Sequence, residues 1–176
     1  LLINSLTFAR IIVAVIIFGL LALKDYYVLA LILFFIAGLT DYFDGFLARK
    51  YNATSQIGEI LDPLADKILI IFLFFGLALN LSSFLIGFAG SLIIMREIWI
   101  SALRDYNSRN NNVQATKVIY IAKIKTSIQL FTIAIYLAAL AFNKMLLVIF
   151  GDIFMIISVL ITLYTGFIYT YNSFKN

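Results

Sequence analysis

Between Lys67 and Arg96 the chain carries no charged side chain. That stretch, Ile68 to Met95, is too long for one bilayer crossing, which takes about 20 residues, and too apolar for a surface loop. Asn80, Ser82 and Ser83 interrupt it where a tight hairpin would fall, so it predicts two helices back to back. The whole chain reads the same way: 64% of its 176 residues are hydrophobic and 12% are charged, against roughly 25% charged in soluble domains. The expected fold class is all-α, a single polytopic membrane domain over 1–176. Uncharged runs and turn signals divide it into six transmembrane helices, at 6–23, 27–50, 60–80, 84–107, 118–142 and 147–172. The polar stretch from Asn107 to Lys117 is expected to form the longest loop.

The chain contains neither cysteine nor histidine. Disulfides, thiolate metal sites and imidazole general bases are therefore excluded, and acid-base or metal chemistry must come from carboxylates. The chain opens at Leu1 rather than Met, so its first residues are expected to be missing from this numbering. The first apolar stretch contains Arg10 and no small-residue cleavage pattern, and it reads as a retained helix.

With both termini on the cytoplasmic side, Arg10, Arg49, Lys50, Lys67, Arg96, Arg104, Arg109, Lys117, Lys123, Lys125 and Lys175 fall inside. Only Lys24 and Lys144 fall outside, which the positive-inside rule favours. The same threading places Asp41, Asp44, Glu59, Asp62, Asp66, Glu97 and Asp105 in the cytoplasmic layer. Charges that continue apolar helices at that depth suggest function unless they merely snorkel, as Lys24, Lys50, Lys144 and Lys175 are expected to do.

The second helix ends in Asp41-Tyr-Phe-Asp44-Gly45-Phe-Leu-Ala48-Arg49, and the third opens with Gly58-x-x-x-Asp62-x-x-x-Asp66. At about 100° per residue, Asp41, Asp44, Gly45 and Ala48 share one helical face. Asp62 and Asp66 share a face of the next helix, and a short loop would make the two helices antiparallel neighbours. Taken singly, these residues have ordinary readings: Asp62 before Pro63 looks like an N-cap, and Asp66-Lys67 like interfacial charge. Together, four carboxylates in a poorly hydrated layer would repel unless divalent cations lay between them. All-oxygen ligation favours two Mg²⁺ or Mn²⁺ ions and disfavours zinc. Such a pair suits pyrophosphate binding and phosphoryl-type transfer.

The pattern D-x-x-D-G-x-x-A-R-x8-G-x-x-x-D-x-x-x-D resembles the signature of the CDP-alcohol phosphatidyltransferase family, and every specified position is present. The resemblance implies a six-helix, usually homodimeric membrane fold with two metals between the second and third helices. By carry-over, Asp41, Asp44 and Asp62 are metal ligands, and Asp66 is the catalytic base and a possible ligand of the second metal. Asp41, Gly45, Ala48, Arg49 and Gly58 would form the CDP site.

Arg10, Arg96, Arg104, Lys123 and Lys125 surround this carboxylate layer in sequence terms and suggest an acceptor that carries its own negative charge. Lys123 and Lys125, two residues apart, lie on nearly opposite helical faces, so at most one is expected to reach a common pocket. Asn4-x-Leu6-Thr7-x-x-Arg10, Arg96-Glu97-x-x-x-Ser101-x-Leu103-Arg104 and Ala122-Lys123-x-Lys125-Thr126 resemble the phosphatidylglycerophosphate synthase branch of the family. Ile3 and Ala122 depart from the proline and glycine usual there. The resemblance implies CDP-diacylglycerol as donor, glycerol 3-phosphate as acceptor, a membrane-lipid environment and no nucleic-acid partner. It also implies the cytoplasmic (inner) membrane of a bacterial-type cell, with the active site facing the cytoplasm. The alternatives are a sister enzyme acting on phosphatidylglycerol or inositol phosphate, and an ion or proton transporter using the aspartates as a relay.

Overall fold

The computed structural model describes residues 2–51, 56–110, 112 and 120–175, without the side chains of 2–7, 41–51, 56–60, 62–63, 120 and 122–123. The described chain forms six α-helices: α1 (Leu2–Ala22), α2 (Tyr27–Tyr51), α3 (Gln56–Asn80), α4 (Phe84–Arg109), α5 (Tyr120–Phe142) and α6 (Met145–Phe174). Among the described residues, Phe84–Arg109, Ile124–Phe142 and Met145–Phe174 are each long and apolar enough to cross a membrane. The outer surface is correspondingly apolar, with Phe84, Met145 and Phe167 among its most exposed side chains.

The helix ends follow from local chemistry. At the α3–α4 hairpin the Ser83 amide donates to Ala78 O, and the Ser82 amide to Leu79 O, closing α3 with Ser82 at φ 47°. Ser83 then caps α4, its Oγ accepting from the Ile86 amide at 3.3 Å. The α5–α6 hairpin repeats this closure: Lys144 N donates to Ala139 O, Asn143 N donates to Leu140 O, and Asn143 takes φ 51°. Both hairpins lie where the sequence places them. Most helix ends fall one to four residues from the expected positions. α3 begins at Gln56, so Asp62 and Pro63 lie inside the helix and Asp62 is not its cap. Asn107, the expected end of the fourth helix and start of the polar stretch, lies within α4, its amide nitrogen donating to Leu103 O and to Ser173 Oγ, both at 2.8 Å, and is buried against α6.

The helices form a closed ring in the order α1, α2, α5, α6, α4, α3, and a further contact between α3 and α5 crosses the middle. The core lies along that crossing: Leu73, Phe74 and Leu77 of α3 pack with Ile17 and Leu21 of α1, Ile86 and Ile93 of α4, and Ile133 and Leu137 of α5. Among the described residues α2 and α3, expected as neighbours, share no direct contact and face each other across a cavity. Both pack on α1 and α5 instead.

Candidate functional site

The α3–α5 crossing divides the ring into two compartments, each with a cavity. One, of about 230 Å³, is enclosed by α3, α4, α5 and α6 and lined by Lys67, Arg96, Glu97, Arg104 and Lys125. The other, of about 240 Å³, lies between α2 and α3. It is mostly apolar, with Phe34, Leu39, Leu69 and Leu130 in its wall and Arg10 at one side. Asp66, Ile70 and Thr126 line both cavities and so stand on the partition.

The charges in the first compartment are ordered by one carboxylate. Arg96 and Lys125 are each 5% exposed, a depth at which an uncompensated cation is strongly disfavoured. Glu97 Oε1 accepts from Arg96 Nη1 at 3.0 Å and from Lys125 Nζ, bridging α4 to α5. Lys67 Nζ donates to Ser101 Oγ at 2.6 Å, and that hydroxyl donates to Glu97 O, linking α3 to α4 across the same cavity. Gln129 closes the α5 side, its amide donating to Thr162 Oγ1 of α6 at 3.2 Å.

Asp66 belongs to a different pair. Its Oδ1 accepts from Arg10 Nη1 at 2.8 Å, while its side chain remains 48% exposed. Arg10 is thereby placed on α3 and in the apolar compartment rather than beside Arg96 and Lys125.

Of the expected acceptor cations, the structure thus gathers Arg96, Arg104 and Lys125 in one cavity, and Lys125 does reach it. The side chain of Lys123 lies outside the described residues, as do those of Asp41, Asp44, Asp62, Arg49 and Ala48; Gly45 and Gly58, also named for the CDP site, fall in the same undescribed stretches. Asp41 and Asp44 occupy the last turns of helix α2, and Asp62 precedes Asp66 by one turn of helix α3. Among the described residues no cluster of three or more potential metal ligands occurs, and Asp66 alone represents the four carboxylates. A hard oxygen donor lining two cavities, in a chain without imidazole or thiolate, fits a hard divalent cation.

Lys67 and Tyr169 escape the motifs, and Glu97 stands within one that does not give its role. Lys67 was visible only as a charge next to Asp66. Glu97 was visible as an acid following Arg96, a signal worth reading because carboxylates inside apolar helices are rare. Tyr169 of α6 lines the cationic cavity although the helix carrying it shows no motif.

Comparison with known proteins agrees with this geometry. The model of the CDP-alcohol phosphatidyltransferase family matches residues 1–164. A CDP-diacylglycerol–glycerol-3-phosphate 3-phosphatidyltransferase of Blochmanniella floridana is 40% identical over 144 residues, covering 82% of this chain and 74% of that protein. Proteins of the same name from Wigglesworthia glossinidia brevipalpis and Escherichia coli (strain K12) are 45% and 36% identical over 105 residues, and the chain spans 56% and 58% of their lengths. With the family model matched over residues 1–164 of its 176, this chain belongs to the CDP-alcohol phosphatidyltransferases.

Proposed function

We propose that this protein transfers the phosphatidyl group of CDP-diacylglycerol to glycerol 3-phosphate, yielding phosphatidylglycerol phosphate and CMP. The single observation that carries the reading is the position of Asp66 between an apolar compartment and a cationic one. A reaction that joins a lipid to a phosphorylated alcohol needs one basic group within reach of both.

The cationic cavity suits the acceptor. Lys67, Arg96, Arg104 and Lys125 outnumber Glu97 and Asp66 in its wall, which matches a phosphate monoester better than a neutral alcohol. Lys123, the remaining cation of the expected acceptor group, stands two residues before Lys125 in α5. The apolar compartment between α2 and α3 has Asp66 in its wall and suits the donor's diacylglycerol end. Asp41, Gly45, Ala48 and Arg49 on α2 and Gly58 on α3 then flank its cytidine diphosphate.

Asp66 takes the proton from the acceptor hydroxyl. The hydroxyl oxygen forms its new bond to the lipid-side phosphorus, the anhydride P–O bond breaks, and CMP leaves with the anhydride oxygen. Arg10 holds the carboxylate of Asp66 from the α1 side throughout. Asp41, Asp44, Asp62 and Asp66 would hold two divalent cations, Mg²⁺ or Mn²⁺, which supply charge neutralisation for pyrophosphate and leaving group. The protein is assigned six crossings of the inner membrane, both termini and the active site on the cytoplasmic side, and a homodimeric state; the gathering of Arg10, Asp66, Arg96, Arg104 and Lys125 around two adjoining cavities supports a single charged layer.

The test is an acceptor panel. Purified protein given labelled CDP-diacylglycerol should release CMP with glycerol 3-phosphate and not with inositol phosphate, phosphatidylglycerol or serine. CMP release with another alcohol in preference would reassign the acceptor, and none with any alcohol would sink the enzymatic reading.

A further inference from the structure

Arg96 leans on α6 from three directions. Its Nη2 donates to Thr165 Oγ1 at 3.0 Å. Its Cζ stands 5.6 Å from the centroid of the Tyr169 ring, within the range of a cation–π contact. Its aliphatic stem lies on Gly166, where a Cβ would stand 3.0 Å from Cγ and 3.5 Å from Nε. Nε itself is buried and meets no hydrogen-bond partner among the described residues, so its flank of the guanidinium is held by packing.

The partners are themselves fixed. Thr165 is fully buried, and its hydroxyl is turned toward the carbonyls of Ile161 and Thr162 at 2.9 and 3.0 Å. Tyr169 is 1% exposed and packs with Ile100 and Leu103 of α4. The two ends of the guanidinium fork are thereby divided: Nη2 is bonded into α6, while Nη1 points to Glu97 and the cavity. Arginine has many rotamers, and a site that has already restricted them spends less entropy when an anion arrives.

We propose that Thr165, Gly166 and Tyr169 are positioning residues which fix the guanidinium of Arg96 at the acceptor cavity, so that α6 sets affinity for the phosphorylated acceptor. The inference rests on the reading that Arg96 meets the acceptor's phosphate. Helix α6 touches the chemistry through no carboxylate and no cation of its own, and its contribution is confined to acceptor binding.

Steady-state kinetics on purified protein in mixed micelles separate this role from general packing. Gly166→Ala and Tyr169→Leu should each raise KM for glycerol 3-phosphate about tenfold, the effect of loosening one charge-assisted contact. KM for CDP-diacylglycerol should stay at the parent value in both, and Gly166→Ala should keep the parent's resistance to thermal inactivation, whereas Tyr169→Leu, which empties part of a buried cluster, loses some of it. Tyr169→Phe, which keeps the ring face, should recover most of the affinity that Tyr169→Leu loses. Arg96→Gln should raise the acceptor KM at least as far, and adding Gly166→Ala to it should bring little further loss, because the two act through one group. If Arg96→Gln leaves the acceptor KM unmoved, the acceptor-site reading falls and this inference with it. If Arg96→Gln raises it while the α6 variants disturb both substrates alike, or add fully to Arg96→Gln, only the role of α6 is overturned. Should Gly166→Ala fail to fold, Thr165→Val and the Tyr169 pair decide the matter by the same measurements.

Discussion

Asp66 and Arg10 are joined at 2.8 Å across the interface of α3 and α1, on the partition between the two cavities. The arginine is 3% exposed at its side chain and the aspartate 48%. The cation is thus the buried, fixed member, and the carboxylate reaches from it toward the compartments. A carboxylate held this way keeps its direction toward both cavities.

Asp66→Asn should therefore remove about a hundredfold or more of kcat, the range typical of losing a general base, with the folded protein retained. Arg10→Gln should lower kcat about tenfold through loss of one charge-assisted bond and move KM for glycerol 3-phosphate little. The reverse split, a raised acceptor KM at normal kcat, would return Arg10 to the acceptor group in which its sequence motif first places it.

Glu97 carries a different burden, because one carboxylate faces two buried cations. Removing one member of such a set leaves like charges uncompensated, a loss of about 3–5 kcal/mol for buried pairs. Glu97 is partly exposed, so the lower end of that range applies. Glu97→Leu should yield protein that inactivates at markedly lower temperature in detergent. Normal thermal resistance in this variant would show that water, not Glu97, compensates Arg96 and Lys125.

What the sequence disclosed and what it concealed divide along one line. The hairpins at Ser82 and Asn143 were legible because a few polar residues break long apolar runs, and the helix ends need those residues locally. The partner of Glu97 was not legible, since Lys125 lies 28 residues away and nothing near Glu97 specifies it. Likewise Ser158, Thr162, Thr165, Tyr169 and Ser173 recur every three or four residues along α6. That spacing defines a buried polar face, yet hydroxyls do not reveal what they face. Only the packing of α6 on α4 and α5 shows Arg96 as the partner of Thr165 and Tyr169, Asn107 as that of Ser173 and Gln129 as that of Thr162. The partition by α3 and α5 is a property of the ring and has no local signature.

Metal dependence follows from the donor chemistry. Chelation should abolish CMP release, and Mg²⁺ or Mn²⁺ should restore it while Zn²⁺ does not, because the chain offers oxygen ligands alone. A chelator-treated enzyme with undiminished turnover would remove the ions from the mechanism and leave the four aspartates without their proposed task.

At the far end of α6 the same substitution that tests the acceptor site should have a purely structural result. A Cβ on Gly151 would lie 2.5, 2.7 and 2.9 Å from atoms of the Tyr136 ring. That ring cannot easily retreat, because Tyr136 is fully buried and its hydroxyl donates to Asp152 Oδ1 at 2.7 Å. Overpacking of this kind is typically destabilising by about 1–3 kcal/mol. Gly151→Ala should accordingly hasten thermal inactivation while the protein that remains folded keeps both KM values, since neither cavity contains Tyr136 or Gly151 in its wall. Gly166→Ala is the converse case, a glycine on the same helix whose neighbour is a binding cation instead of a core ring. If the two variants proved indistinguishable in kinetics and in stability, the division of α6 into a packing end and a site end would be wrong.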